Sequence, residues 1–262
     1  MKLDLRRHPQ LPSLSPRSAL ADAHGGVAEV ASLAALYALY EVIRGFGSDN
    51  FALARQHTDA IVGLERGTHL FVEHGIQSWS HHIPALPGLL GVAYMSLHFL
   101  GTAAALVWVH RSHRDRFALM RTTLMISTAI ALAVYVVYPA APPRLANLGF
   151  ADTVTSSAHV NLSSDALGSF YNPIAAVPSL HFGYALIVGV AVAALARRGW
   201  IRIAGASYPV AMLFIIVATG NHFLFDAAAG GLVVVSAGLA ARALVAHGGA
   251  RAGSRALSVA PC

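Results

Sequence analysis

The sequence predicts an all-α, polytopic membrane helical bundle of six transmembrane helices, with an interfacial amphipathic helical segment between the first two. Three observations predict it. First, 56% of the 262 residues are hydrophobic and only 11% are charged, where a soluble domain carries about 25% charged residues; there is too little polar surface to coat a globule. Second, six apolar segments stand out, near 27–46, 88–109, 117–138, 178–197, 201–218 and 226–246, each close to the roughly 20 residues that cross a bilayer as a helix. Third, the basic residues are sorted between alternate connections, as the positive-inside rule requires of a membrane protein.

Residues 1–26 are polar and Pro-rich with no apolar run, so they read as a disordered cytoplasmic tail rather than a cleaved signal peptide. Residues 27–246 form the predicted membrane domain, and 247–262 a cytoplasmic C-terminal tail. The spans are rich in Ala, Leu, Val and Ile and are read as helices, because in hydrocarbon each amide must bond within its own segment. Between the first two spans, residues 51–82 mix Arg55, Asp59, Glu65, Arg66 and Glu73 with Leu, Ile, Val and Phe, the pattern of one or two helices lying on a membrane surface. Pro209 interrupts the fifth span and is expected to kink it. Ala227 and Gly231 open the sixth and permit close helix packing.

Fourteen of the 18 basic residues fall on one side of this topology: the N-terminal tail (Lys2, Arg6, Arg7, Arg17), the Arg111–Arg121 connection, the Arg197–Arg202 connection, and Arg242, Arg251 and Arg255. Both termini are therefore expected in the cytoplasm, in an integral, multi-pass protein of the plasma (cell) membrane. The chain has no nucleotide-binding glycine motif and no basic stripe, so no nucleic acid partner is expected. Cys262 is the single cysteine, which excludes an intrachain disulfide and a Cys-based metal site.

The same topology sends three separate segments to the extracytoplasmic side: Tyr138-Pro139-Ala140-Ala141-Pro142-Pro143-Arg144, Ala176-Val177-Pro178-Ser179-Leu180-His181, and Thr219-Gly220-Asn221-His222 through Asp226. His222 and Asp226 are four residues apart and share a helix face. A carboxylate on one ring nitrogen fixes the tautomer and leaves a lone pair on the other, the arrangement of an activated nucleophile. His181 follows Pro178 and Ser179 at a helix start, where unpaired amides attract anions and a histidine can protonate a leaving oxygen. Arg144 follows two prolines, and a planar guanidinium suits phosphate. Asn221, Ser179 and, at the outer end of the first span, Arg44 complete the candidate substrate-binding set. Tyr94 and His98 share a face of the second span and are left outside the catalytic set.

Pro178-Ser179-Leu180-His181 followed by Gly220-Asn221-His222-x-x-x-Asp226 resembles the second and third signature motifs of the type 2 phosphatidic acid phosphatase (PAP2) superfamily. The preceding Ala-Pro-Pro-Arg, and Leu180 within the Pro-Ser-x-His motif, look closer to the branch that includes inositol phosphorylceramide synthases. The resemblance covers about residues 117–240. It implies that His222 attacks phosphorus to form a phosphohistidine, that Asp226 orients it, and that His181 protonates the departing oxygen. Water or an alcohol then takes the phosphoryl group, with no metal and no cofactor. The implied partners are a lipid phosphate and the bilayer, with a polyol acceptor left open; oligomeric state is not readable. Two cations of the phosphatase branch are missing: its lysine and arginine positions hold Val137 and Ile216 here, and the proline after its first-motif arginine is Leu145. A haem-binding protein, suggested by 14 histidines, and a transporter stand as alternatives from other classes; the first lacks histidines paired at one depth and the second lacks repeated halves.

Overall fold

The computed structural model describes residues 51–157 and 172–258, with side chains as far as 247. The predicted first span, Arg44 and the N-terminal tail lie outside the described residues. Those described are helical apart from loops and one isolated bridge. In chain order the helices among the described residues are α1 (Phe51–Gly67), α2 (Glu73–His81), α3 (Leu86–Ser112), α4 (Arg114–Val137), α5 (Thr153–Ser157), α6 (Leu180–Leu195), α7 (Gly199–Ala218) and α8 (Leu224–Ser258), with a 3-10 turn at Pro143–Leu145.

The amphipathic region predicted at 51–82 is two helices, α1 and α2. Thr58, Ile61, Val62 and Glu65 of α1 are buried together, at the i, i+3, i+4, i+7 spacing of one helix face. Among the described residues four helices are long and apolar enough to cross a membrane: α3, α4, α7 and the stretch Leu224–His247 of α8. The fourth predicted span is the shorter α6, of 16 residues and equally apolar. Large apolar side chains such as Leu100, Ile203, Val210 and Leu232 are about two-thirds exposed, an arrangement suited to hydrocarbon rather than water and compatible with an integral membrane protein. α8 runs on past the predicted boundary at 246 to Ser258, even though that stretch includes Gly248, Gly249 and Gly253.

Small residues set the helix spacing. A Cβ on Gly189 of α6 would lie 2.6 Å from the Gly205 carbonyl oxygen of α7 and 2.8 Å from the Pro209 ring, so backbones approach as closely as glycine allows. Pro209 is buried within α7, and the helix continues through it to Ala218. The core between α3, α6, α7 and α8 is built from Leu90, Ala185, Met212, Ile215, Ile216 and Ala227. A separate apolar layer joins Ile61 and Val62 of α1 to Ala140, Ala176, Val177 and Phe223. That layer draws the three loops singled out above into one place.

Candidate active site

Each loop is shaped locally before it is packed. Thr219 and Gly220 end α7 with Gly220 at φ 68°. The Asn221 amide donates to the Ile216 carbonyl at 3.1 Å and the Gly220 amide to Val217 at 2.9 Å; this is the Schellman arrangement that a left-handed glycine permits. It turns the chain so that His222 faces inward, 5% exposed. The second loop ends with Ser179 as N-cap of α6, its Oγ accepting from the Phe182 amide at 3.3 Å. The first and second loops pair through the Ala140–Ala175 bridge, with the Ala140 amide on Ile174 and the Ala176 amide on Ala140. The second and third are joined by the Ser179 amide, which donates to the Asp226 carbonyl at 2.9 Å.

His222 Nδ1 lies 3.1 Å from the Ala176 carbonyl oxygen and 3.2 Å from Asp226 Oδ2. Both neighbours only accept at those atoms once Asp226 is ionised, so Nδ1 must carry the hydrogen and Nε2 keeps its lone pair. Asp226 is fully buried. Its Oδ2 also accepts from the Phe223 amide at 2.9 Å, and its Oδ1 has no hydrogen-bond partner. The His-x-x-x-Asp contact is present, but not on one helix face as the spacing predicted: His222 precedes Leu224, the first residue of α8, and Asp226 folds back to meet it.

His181 stands next to it, ring centroids 5.7 Å apart. The His181 ring is stacked on Tyr94 at 4.2 Å and lies tilted against His98 at 4.3 Å; His98 is itself stacked on Tyr184 at 4.9 Å. Tyr94 and His98, read from sequence only as polar groups on one face of a span, therefore fix the plane of the His181 ring. Their spacing of four residues was the available signal; that His181 is what they face depends on helix packing.

Arg144 is placed by the 3-10 turn after Pro142 and Pro143. Its side chain is 3% exposed and forms a salt bridge with Asp152 through Nη1 at 3.2 Å. Its Nε donates to Asn221 Oδ1 at 2.8 Å, and its amide to the Gly220 carbonyl at 3.0 Å. Asn221 spends its other end on Thr219, so its role in this geometry is to orient Arg144. Val137 is 80% exposed at the end of α4, and Ile216 is fully buried in the core; neither position faces the histidines with a cation.

Sequence reasoning treated 51–82 only as a surface segment. In the structure α1 and α2 hold all three loops. Thr58 Oγ1 bonds both the amide and the carbonyl of Ala141. Gln77 bonds the amide and carbonyl of Ala151 through its two side-chain ends. Glu73 Oε1 accepts from the Leu224 amide at 2.9 Å and Glu65 Oε1 from the Phe225 amide at 2.7 Å. Burial pushes the Glu65 carboxyl up to about 8, helped by its contact with Glu73 and opposed by the Phe225 amide. The signal was present in α1, where Glu65 lies on the same face as Thr58, Ile61 and Val62, a carboxyl group on an apolar stripe.

No group of three or more His, Cys, Asp or Glu side chains among the described residues has a metal-holding arrangement. A model of the PAP2 superfamily matches residues 59–241, well over half of the chain and including every motif above. No curated protein and no solved structure matches it.

Proposed function

The chain belongs to the PAP2 superfamily, whose members are generally phosphatases or phosphotransferases, and from that premise we propose that it transfers the phosphoryl group of a lipid phosphate through a phosphohistidine on His222, at the extracytoplasmic face of the cell membrane. The observation that carries this reading is the pair of acceptors on His222 Nδ1, which leaves Nε2 as a base with its lone pair directed away from them. In the proposed reaction Nε2 attacks phosphorus while the bond to the leaving oxygen breaks. His181 gives that oxygen its proton. The positive charge that forms on the His222 ring is balanced by Asp226. Water or an alcohol then attacks phosphorus, passing its proton to His181, and the P–N bond breaks to restore His222. Arg144, held by Asn221 and Asp152, and the hydroxyl of Ser179 lie on the loops where the equatorial oxygens would need donors; Arg44 is the remaining proposed contact.

In this reading the segment 27–46 joins α3, α4, α6, α7 and α8 as the sixth span, both termini are cytoplasmic, and α1 and α2 lie at the outer interface over the loops. Transfer to a polyol such as inositol, rather than hydrolysis, is the second reading. What favours it is that the two positions at which the phosphatase branch places cations are a lipid-side Val137 and a core Ile216, together with the resemblance to the inositol phosphorylceramide synthase branch.

The test is to supply wild type and His222→Ala, purified in detergent, with phosphatidic acid, sphingoid and polyprenyl phosphates, with and without inositol. Free phosphate and phosphorylated acceptor are both followed. Turnover that disappears in His222→Ala supports the reading, and the product distinguishes hydrolysis from transfer. Equal turnover by both proteins would rule out His222 as the nucleophile.

A further inference from the structure

The start of α8 has an unusual set of caps. Its first helical residue is Leu224, which makes Phe223 the N-cap, and phenylalanine has no oxygen to offer the amides that open a helix. Asp226, three residues on, reaches back to the Phe223 amide as the acidic half of a capping box does. The next two amides are satisfied from another part of the chain: Leu224 by Glu73 and Phe225 by Glu65. Three carboxyl groups thus converge on one helix terminus, and Glu65, Glu73 and Asp226 are 3%, 0% and 0% exposed.

The helix dipole favours negative charge at this end, but by only about half a unit charge. Two glutamates that were both ionised would each bury an oxygen with no donor, since neither Glu65 Oε2 nor Glu73 Oε2 has any other partner. The two side chains instead meet each other. The other ionisable groups nearby do not resolve this. Asp226 adds a like charge from α8, Arg66 lies over the Phe71 ring at 4.9 Å, and His74 packs edge-on against Phe150; no described salt bridge involves either glutamate. One hydrogen between the two carboxyls satisfies both oxygens at once.

We propose that Glu65 and Glu73 share a single proton and, as one acid pair, are positioning residues that clamp the His222–Asp226 turn at the head of α8. The inference rests on the reading of His222 as nucleophile for its catalytic consequence, but the shared proton does not. Loss of the proton sets two facing carboxylates against each other and against Asp226, and pushes α1 and α2 away from Leu224 and Phe225, two and three residues after His222.

The sign of the pH effect follows from burial. The folded protein holds the Glu65 proton more tightly than the unfolded chain, in which the carboxyl has its ordinary value of 4.5. Stability from this pair is full below about pH 4.5 and declines as pH rises toward about 8. Melting curves of wild type, Glu65→Gln and Glu73→Gln in nanodiscs, measured across that range and one unit above it, test this without any substrate. Glutamine keeps the acceptor for the α8 amide and supplies a donor that cannot be lost. The melting temperature of wild type is expected to fall relative to both variants as pH rises. The infrared carbonyl band of a protonated carboxyl, present in wild type at neutral pH, is expected to be missing from Glu65→Gln. Curves that stay parallel for all three proteins would overturn the shared proton, as would an unchanged band.

The positioning role is read from turnover of phosphatidic acid in micelles. One unit above a pKa of about 8, the protonated fraction drops about tenfold, so the ratio of turnover at about pH 9 to that at pH 7 is expected to be about tenfold lower in wild type than in Glu65→Gln. A ratio that matched between them, with melting curves as expected, would overturn positioning and keep the acid pair as a structural cap. Absence of turnover by wild type on every lipid phosphate would sink the phosphoryl-transfer reading, while the melting curves would still decide the proton.

Discussion

Gly230 is the position at which one added carbon should do most damage. A Cβ there would lie 2.3 Å from the Ser179 carbonyl oxygen and 3.2 Å from its carbonyl carbon. Both are backbone atoms, so no side chain can swing aside, and α8 must move away from the head of α6. That movement stretches the bond from the Ser179 amide to the Asp226 carbonyl, and with it the spacing of His181 from His222. Overpacking of this kind costs about 1–3 kcal/mol, and the weakened buried hydrogen bond adds about 1 kcal/mol. The expected loss for Gly230→Ala is roughly 2–4 kcal/mol of stability, or a fall in Tm of several degrees at about 2–4 °C per kcal/mol for a chain of this size. Turnover should fall further, about 100-fold, because a shift near 1 Å between reacting groups has effects of that order. Gly231→Ala is the internal control, since its Cβ would meet only Phe182 Cε1 at an ordinary 3.4 Å. Melting curves and turnover of the two variants, prepared side by side, decide the matter. A Gly230→Ala protein as stable and as active as Gly231→Ala would refute the packing argument.

Asp226→Asn should keep the fold of the turn but present an amide to His222 Nδ1, so that either face of the ring can hold the hydrogen. Turnover is expected to fall by about 10²–10⁴-fold, by analogy with tautomer loss in other His–Asp pairs, with substrate binding little changed; a kcat within a few-fold of wild type would argue against the tautomer role. Gly220→Ala combines a φ of 68° with a Cβ 2.7 Å from Gln77 Nε2 and 3.2 Å from the Ala151 carbonyl, and should cost about 1–3 kcal/mol as backbone strain, read in a melting curve. His98→Phe keeps a ring against His181 and should retain most turnover, whereas His98→Ala removes that support and should lose about tenfold or more. Equal effects of the two would mean that His98 acts through its nitrogens rather than as a stacking surface.

Much of this architecture was legible because it is written locally. The segments expected at 88–109, 117–138 and 201–218 are α3, α4 and α7, each within three residues at either end, since long apolar runs bounded by Pro139 or by arginines leave little choice. Turn chemistry was equally direct: Thr219-Gly220 closes α7 and Pro178-Ser179 opens α6. The His222–Asp226 pairing was read from helical spacing, but His222 precedes the first helical residue, Leu224, and the contact is made by Asp226 reaching back over the start of α8. What was not legible lies between elements. Glu65 and Glu73 bond amides 160 and 151 residues further along the chain, and periodicity reports which face of a helix is buried, never what it is buried against. The same holds for Tyr94 and His98. Their spacing declared a shared face, and only the packing of α3 on α6 gave that face a histidine to hold.

Charge balance ties the clamp to the proposed chemistry. A lipid phosphate brings up to two negative charges into a site whose described arginine, Arg144, is already paired with Asp152, and where Val137 and Ile216 contribute no cation. Asp226 must stay ionised to hold the hydrogen on His222 Nδ1. If Glu65 and Glu73 were ionised as well, three carboxylates and the substrate would face one another across a few side chains, at an effective dielectric far below that of water. A proton shared by the glutamates removes one of those charges while leaving both α8 amides capped. It also places the adjustment outside the reacting groups, so that His181 and His222 can exchange protons with substrate without disturbing the turn that carries them. A site with few cations can therefore still accept an anionic substrate, provided that its own carboxyl groups hold one charge fewer than their number.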